Sequence, residues 1–218
     1  MGPDYWKKAW REGRTRFHQH NVNHHLETFY PRLELRPGDE VFVPLCGKSL
    51  DMLWLRDQGL HVIGVEVSQQ AVDAFFDENS IERSTEKSKY HRVHHGAGVT
   101  IIEGDYYRVG QRLVQGIKGV YDRAAYIALP PDERVRYVRH MARLAPPGSR
   151  VLLLTIEHAG TESPGPPFSI PAGEVEANYG DTFEVELLVD DDILSQSAMF
   201  QERGASLLRE RVFLLRRT

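Results

Sequence analysis

Five short apolar runs, at residues 41–45, 61–66, 99–103, 119–125 and 151–156, constrain this chain more than any other feature. Each reads as a strand, 41–45 as a buried one and the near-continuous 151–156 as one covered on both faces. Helical patterns fall between several of them. Ser49 is placed to cap a helix over residues 50–58 with Leu50, Leu53 and Trp54 on its buried face, and Gly59 to end it. Ser68 is placed to cap a second helix to about residue 79, with Ala71, Val72, Phe75 and Phe76 on one side. Pro131 suits the first turn of a third, which Pro146-Pro147-Gly148 stops near residue 145. Strand–helix alternation of this kind predicts βαβ units and a mostly parallel sheet.

The last third reads differently. Residues 183–189 and 206–216 alternate apolar and polar side chains, as half-buried antiparallel strands do, and residues 190–204 between them read as helical or irregular. Residues 80–98 are polar without a period and read as a loop or short excursion. The expected fold is a doubly wound α/β sheet of seven strands, mostly parallel, with a C-terminal antiparallel strand pair. That ending is the layout of class I methyltransferases, and a plain dinucleotide-binding sheet lacks it.

The chain has 218 residues, which suits a single domain, 1–218. Its formal net charge of −4 argues against a general nucleic-acid binder, which needs a basic face. The lone cysteine, Cys46, excludes an intramolecular disulfide. No signal-type segment opens the chain and no apolar run reaches the roughly 20 residues of a membrane span, so a cytoplasmic monomer without membrane partners is expected.

Ligands of open α/β sheets bind at the carboxyl ends of the strands. Four strand ends carry candidates. Leu45 and Gly47 lie in a one-glycine turn after the first strand. That turn is not the G-x-G-x-x-G fingerprint. Its Gly47-Lys48-Ser49 imitates a P-loop, but Phe42 stands where the P-loop needs its first glycine. Glu66 ends the second strand 19 residues after Gly47, the distance at which an acidic residue meets ribose hydroxyls. Gly104-Asp105-Tyr106 follows the third strand, with Asp105 a candidate for an adenine amino group and Tyr106 a candidate to flank the ring. Asp122 and Arg123 interrupt the fourth apolar run, where buried charge requires compensation.

These motifs, with Trp6, Trp10, Gly13 and Phe17 near the start and Gly165-Pro166-Pro167-Phe168 near the end, resemble the thiopurine S-methyltransferase family. The resemblance runs from Trp6 to about Arg211. It implies S-adenosylmethionine as cofactor, bound through Trp6, Trp10, Leu45, Gly47, Glu66, Asp105, Tyr106 and Arg123. It implies Phe17 and Arg123 at the substrate, an aromatic or heterocyclic thiol. Methylation of selenium and tellurium compounds, and tellurite resistance, are linked to bacterial members. Residues 1–35 are expected to form a helical segment over the active site. Arg123 is expected to favour the substrate thiolate with Asp122 orienting it, and Trp10 to attract the sulfonium by a cation–π contact worth about 0.5–2 kcal/mol.

Residues 82–98 and 190–204 depart from the family pattern, which leaves the acceptor open: a halide, oxygen or nitrogen nucleophile, or a non-catalytic cofactor-binding domain, are the alternatives. Cys46 is read as a packing residue of the cofactor turn. His18, His20, His24 and His25 lack an acidic partner at metal-ligand spacing, so no metal is expected. His91, His94 and His95 are expected to be solvated, and Arg209, Arg211, Arg216 and Arg217 to form the wet face of the last strand.

Overall fold

The computed structural model describes residues 2–15, 18–161 and 165–218. They fall into two compact units, Met1–Tyr121 and Asp122–Thr218.

The first unit opens with helices α1 (Pro3–Arg11) and α2 (His24–Phe29). Asn23 caps α2 by accepting a hydrogen bond from the His25 amide. Strand β1 (Glu40–Val43), helix α3 (Asp51–Asp57), strand β2 (His61–Glu66) and helix α4 (Gln69–Glu78) follow. The next strands are β3 (Ser84–Lys87), β4 (Arg92–Gly96), β5 (Val99–Glu103) and β6 (Ile117–Asp122). β2 pairs in parallel with β1 on one side and β5 on the other, and β1 pairs in parallel with β6. Val41, Phe42, Val62, Val65, Ile101 and Ile102 are buried in this sheet, and α4 buries Ala71, Val72, Phe75 and Phe76. Ser68 caps α4 as expected, its side chain accepting from the Ala71 amide.

Two expectations for this unit need correction. α3 begins at Asp51, and the residues it buries are Asp51, Met52 and Leu55 instead of Leu50, Leu53 and Trp54. Two donors that satisfy the Asp51 carboxylate turn this face inward. The polar stretch 80–98 holds an antiparallel hairpin, β3 with β4, and β4 joins β5 antiparallel. Its strands had no apolar alternation to read, because polar contacts attach them. His94 Nδ1 lies 3.0 Å from Thr85 Oγ1 and His94 Nε2 lies 3.0 Å from Glu103 Oε2, while Arg92 pairs with Glu103 and His95 with Thr100. His94 is therefore buried, and His91 is buried as well, where both were expected to be solvated.

The second unit contains α5 (Pro131–Leu144), β7 (Arg150–Ala159), α6 (Glu174–Tyr179), β8 (Phe183–Asp192), α7 (Ala198–Glu202) and β9 (Leu207–Arg217). β9 pairs antiparallel with both β7 and β8, so the C-terminal antiparallel pair is present. With the hairpin included the described residues form nine strands instead of seven. Arg211 is not on a wet face: it is buried and pairs with Glu157 at 2.7 Å and Asp190 at 3.0 Å. The architecture is α/β with a largely parallel sheet completed by antiparallel strands.

Candidate active site

In the first unit the ends of β1, β2 and β5 converge through their own backbone. The chain leaves β1 through Leu45 and Gly47, both with left-handed φ, of 45° and 54°. This bend lets the Cys46 amide reach the Val65 carbonyl at 2.9 Å, anchoring the turn to β2. Close packing explains the small residues here. A Cβ on Gly64 would fall 2.7 Å from Cys46 Sγ. Burial pushes the Cys46 thiol well above its usual range, which keeps it protonated and suits a packing residue better than a nucleophile.

Glu66 holds the two turns together. One carboxylate oxygen accepts from the Gly47 amide at 2.9 Å, the other from the Ser68 amide at 2.7 Å. Burial raises its pKa above the ordinary carboxylate range, and the surrounding amides of Ser68, Gly47 and Val67 pull it back. An ionised carboxylate offers about four lone-pair positions, so Glu66 retains capacity for a diol. The Glu66 carbonyl in turn accepts from the Gly104 amide at 2.9 Å, which brings Asp105 to the same edge. Asp105 accepts from the Tyr107 amide at 2.9 Å and so starts a short 3-10 turn. Tyr106 is buried, its ring stacked 6.4 Å from that of Phe42.

Trp10 covers the first turn. It is buried, and a Cβ on Gly47 would lie 3.1 Å from Trp10 Cζ2. Trp6, one helical turn earlier, is half-buried and meets Tyr5 edge-on. Lys48, the P-loop mimic, is engaged by Glu78 at 2.6 Å. Trp10, Leu45, Gly47, Glu66 and Asp105 thus share one edge, while Phe17 lies outside the described residues.

Sequence reasoning passed over Asp51. Its side chain is fully buried; Oδ1 accepts from the Asn23 amide at 2.9 Å and Oδ2 from the Tyr121 hydroxyl at 3.0 Å. It ties the segment before α2 to the end of β6. The signal available was a carboxylate in the first turn of a helix that follows the glycine turn.

In the second unit Asp122 is fully buried and Arg123 half-buried. Asp122 accepts from the Tyr126 amide at 3.1 Å and from the Tyr137 hydroxyl at 2.7 Å. It therefore shapes the turn that carries Arg123, in which Ala124 has a left-handed φ of 62°. Burial raises the Asp122 pKa to about 6 against these donors. A buried polar network extends from this turn. The Tyr126 hydroxyl donates to Glu174 at 3.0 Å. Arg134, wholly buried, reaches both Glu174 oxygens at 2.8 and 2.9 Å, and donates to the Leu129 carbonyl at 2.9 Å and the Ser169 carbonyl at 3.3 Å. Neither Arg134 nor Glu174 was singled out in the sequence, since nothing in a helical charge signals a partner 40 residues away.

A family model described as thiopurine S-methyltransferase matches residues 1–218. A thiopurine S-methyltransferase of Nitrosospira multiformis is 41% identical over 215 residues, covering 99% of this chain and 98% of the relative. One of Pseudomonas paraeruginosa is 42% identical over 217 residues, covering all of both chains. Among solved structures, a SAM-dependent methyltransferase from Anabaena variabilis superposes with a TM-score of 0.67 at 15% identity, over 99% of this chain and 95% of that one. The fold is therefore that of SAM-dependent methyltransferases, and the full-length matches show that the chain belongs to the thiopurine S-methyltransferase family.

Proposed function

We propose that this chain transfers the methyl group of S-adenosylmethionine to the sulfur of aromatic or heterocyclic thiols. The observation that carries the reading is the shared edge of Gly47, Glu66 and Asp105 beneath Trp10, at the ends of three adjacent parallel strands. The donor and acceptor set fits the cofactor. Glu66 has spare acceptor positions for ribose hydroxyls, Asp105 can accept from an amino group, and the Gly47 turn allows backbone approach. When bound, the cofactor supplies an electrophilic methyl on a sulfonium.

The chain's own residues then have defined tasks. Trp6 and Trp10 exclude water and present aromatic faces to a cation. Residues 1–35 form the helical cover of a single methyltransferase domain. Tyr106 supports the adenine site from the core side. Arg123 favours the thiolate form of the acceptor electrostatically, and Asp122 positions it by fixing the turn. A thiolate needs alignment at about 3–3.5 Å more than it needs a base, so positioning carries much of the rate. Phe17 contacts the acceptor. Selenium and tellurium compounds belong to the same class of soft nucleophile, which links the chain to tellurite resistance. No described helix is long and apolar enough to cross a membrane; a cytoplasmic monomer acting on small molecules, without nucleic acid, completes the reading.

The test is a transfer assay with radiolabelled S-adenosylmethionine against aromatic thiols, selenite, tellurite, halide, and oxygen and nitrogen acceptors. Label is expected on the thiols, with Arg123→Ala lowering kcat/KM about 100-fold. Tight cofactor binding without turnover on any acceptor would instead identify a non-catalytic cofactor-binding domain.

A further inference from the structure

We infer that His91, on the hairpin turn between β3 and β4, is a cofactor-specificity residue whose Nε2 hydrogen-bonds a ring nitrogen of the adenine. The inference rests on the proposed binding of S-adenosylmethionine and assigns a contact that neither strand order nor family motif supplies.

Three hydrogen bonds close the turn. The Ser88 amide donates to the His91 carbonyl at 2.9 Å, the Ser88 hydroxyl donates to the same carbonyl at 3.1 Å, and the His91 amide donates to the Ser88 hydroxyl at 3.1 Å. These bonds place the imidazole directly over Gly104. A Cβ on Gly104 would fall 2.5 Å from His91 Cδ2 and 3.4 Å from Nε2, so only glycine admits the ring. His91 is 8% exposed, and its Nε2 has no hydrogen-bond partner among the described residues. A buried polar atom left unmade costs about 1–3 kcal/mol, which makes it a group that a ligand would satisfy.

The ring also lines a cavity of about 520 Å³, together with Val67, Tyr90, Gly104, Asp105 and Arg108. That volume suits a nucleoside. Val67 directly follows Glu66, so the cavity adjoins the residue proposed to take the ribose. Burial and the nearby Arg108 hold the His91 pKa below its ordinary value, with Asp105 opposing. Burial thus favours the neutral ring, which offers a directed bond in place of a charge. The wall carries both signs, with Lys7, Lys89, Arg92 and Arg108 beside Glu103 and Asp105. Adenine fits: it presents an amino donor near ring-nitrogen acceptors, Asp105 accepts from the first and His91 Nε2–H donates to one of the second.

Calorimetry on the full chain tests this with S-adenosylhomocysteine and its 1-deaza, 3-deaza and 7-deaza analogues, each lacking one ring nitrogen. On the wild type, one analogue is expected to bind about tenfold more weakly than the parent. On His91→Phe the parent is expected to lose about tenfold and that analogue nothing further, while His91→Gln restores part of the difference. Thermal unfolding checks that each variant is folded; if His91→Phe is not, His91→Leu takes its place. If wild type and variant discriminate among the analogues identically, the inference is overturned and the methyltransferase reading stands. If the wild type binds no S-adenosylhomocysteine, both fall.

Discussion

Glu66 in the first unit and the Arg134–Glu174 pair in the second are compensated in different ways. In the first, Glu66 is satisfied by the amides of Gly47 and Ser68, peptide groups of the turns that end β1 and β2. In the second, Arg134 reaches both Glu174 oxygens and donates to the Leu129 and Ser169 carbonyls, while the Tyr126 hydroxyl donates to Glu174. The first arrangement follows from strand ends and leaves a trace in spacing. The second depends on two side chains meeting across 40 residues and leaves none. Removing the first carboxylate leaves neutral amides behind; removing one member of the side-chain pair leaves a charge without its partner.

The sharpest way to break this contrast is to remove one partner of the second arrangement. Glu174→Ala leaves Arg134 buried without its counter-charge and is expected to cost about 3–5 kcal/mol in urea unfolding. The double replacement Arg134→Met with Glu174→Leu is expected to cost much less. Equal losses for the single and the double would show that the pair is not coupled.

Next in size is the pH response of Asp122. Its pKa is raised on folding from 3.8 to about 6, so the folded state holds the proton more tightly. The stabilisation is fully present below pH 3.8 and is lost as pH rises through about 6, on the order of 2–3 kcal/mol. Asp122→Asn has no such titration. Relative to that variant, the wild type is expected to lose stability between pH 4 and 7; parallel curves would contradict the assignment.

Gly47→Ala probes the backbone side of the comparison. The left-handed φ of 54° and the Trp10 ring 3.1 Å from the added carbon predict a loss of about 1–2 kcal/mol and weaker cofactor binding. The smallest effect belongs to Lys48→Met. Glu78, its partner, is half exposed, so the loss is expected below about 1 kcal/mol, with cofactor affinity unchanged. A large loss of affinity would instead place Lys48 in the ligand site.

The same division decides what the sequence disclosed. The parallel strands, the Ser68 cap, the glycine turn and Glu66 were legible, because each follows from period, cap chemistry or a fixed spacing between strand ends. The β3–β4 hairpin was hidden because Thr85, Arg92, His94 and Glu103 attach it by polar contacts, and a period-of-two apolar signal is absent. The buried face of α3 was misread for a related reason: Asp51 counts as polar in any pattern, yet the Asn23 amide and Tyr121 hydroxyl make it an interior residue. Arg211 looked like part of a wet stripe until Glu157 and Asp190 met it.

Glu66 has one more consequence, for the kinetics of association. A single carboxylate already clamps both strand-end turns, so under the proposed function the peptide groups that would meet a nucleoside are aimed before it arrives. Little loop ordering remains to be done at the moment of contact. Capture then proceeds nearly as a rigid-body encounter, and differences in affinity among related nucleosides appear mainly in how slowly each one leaves.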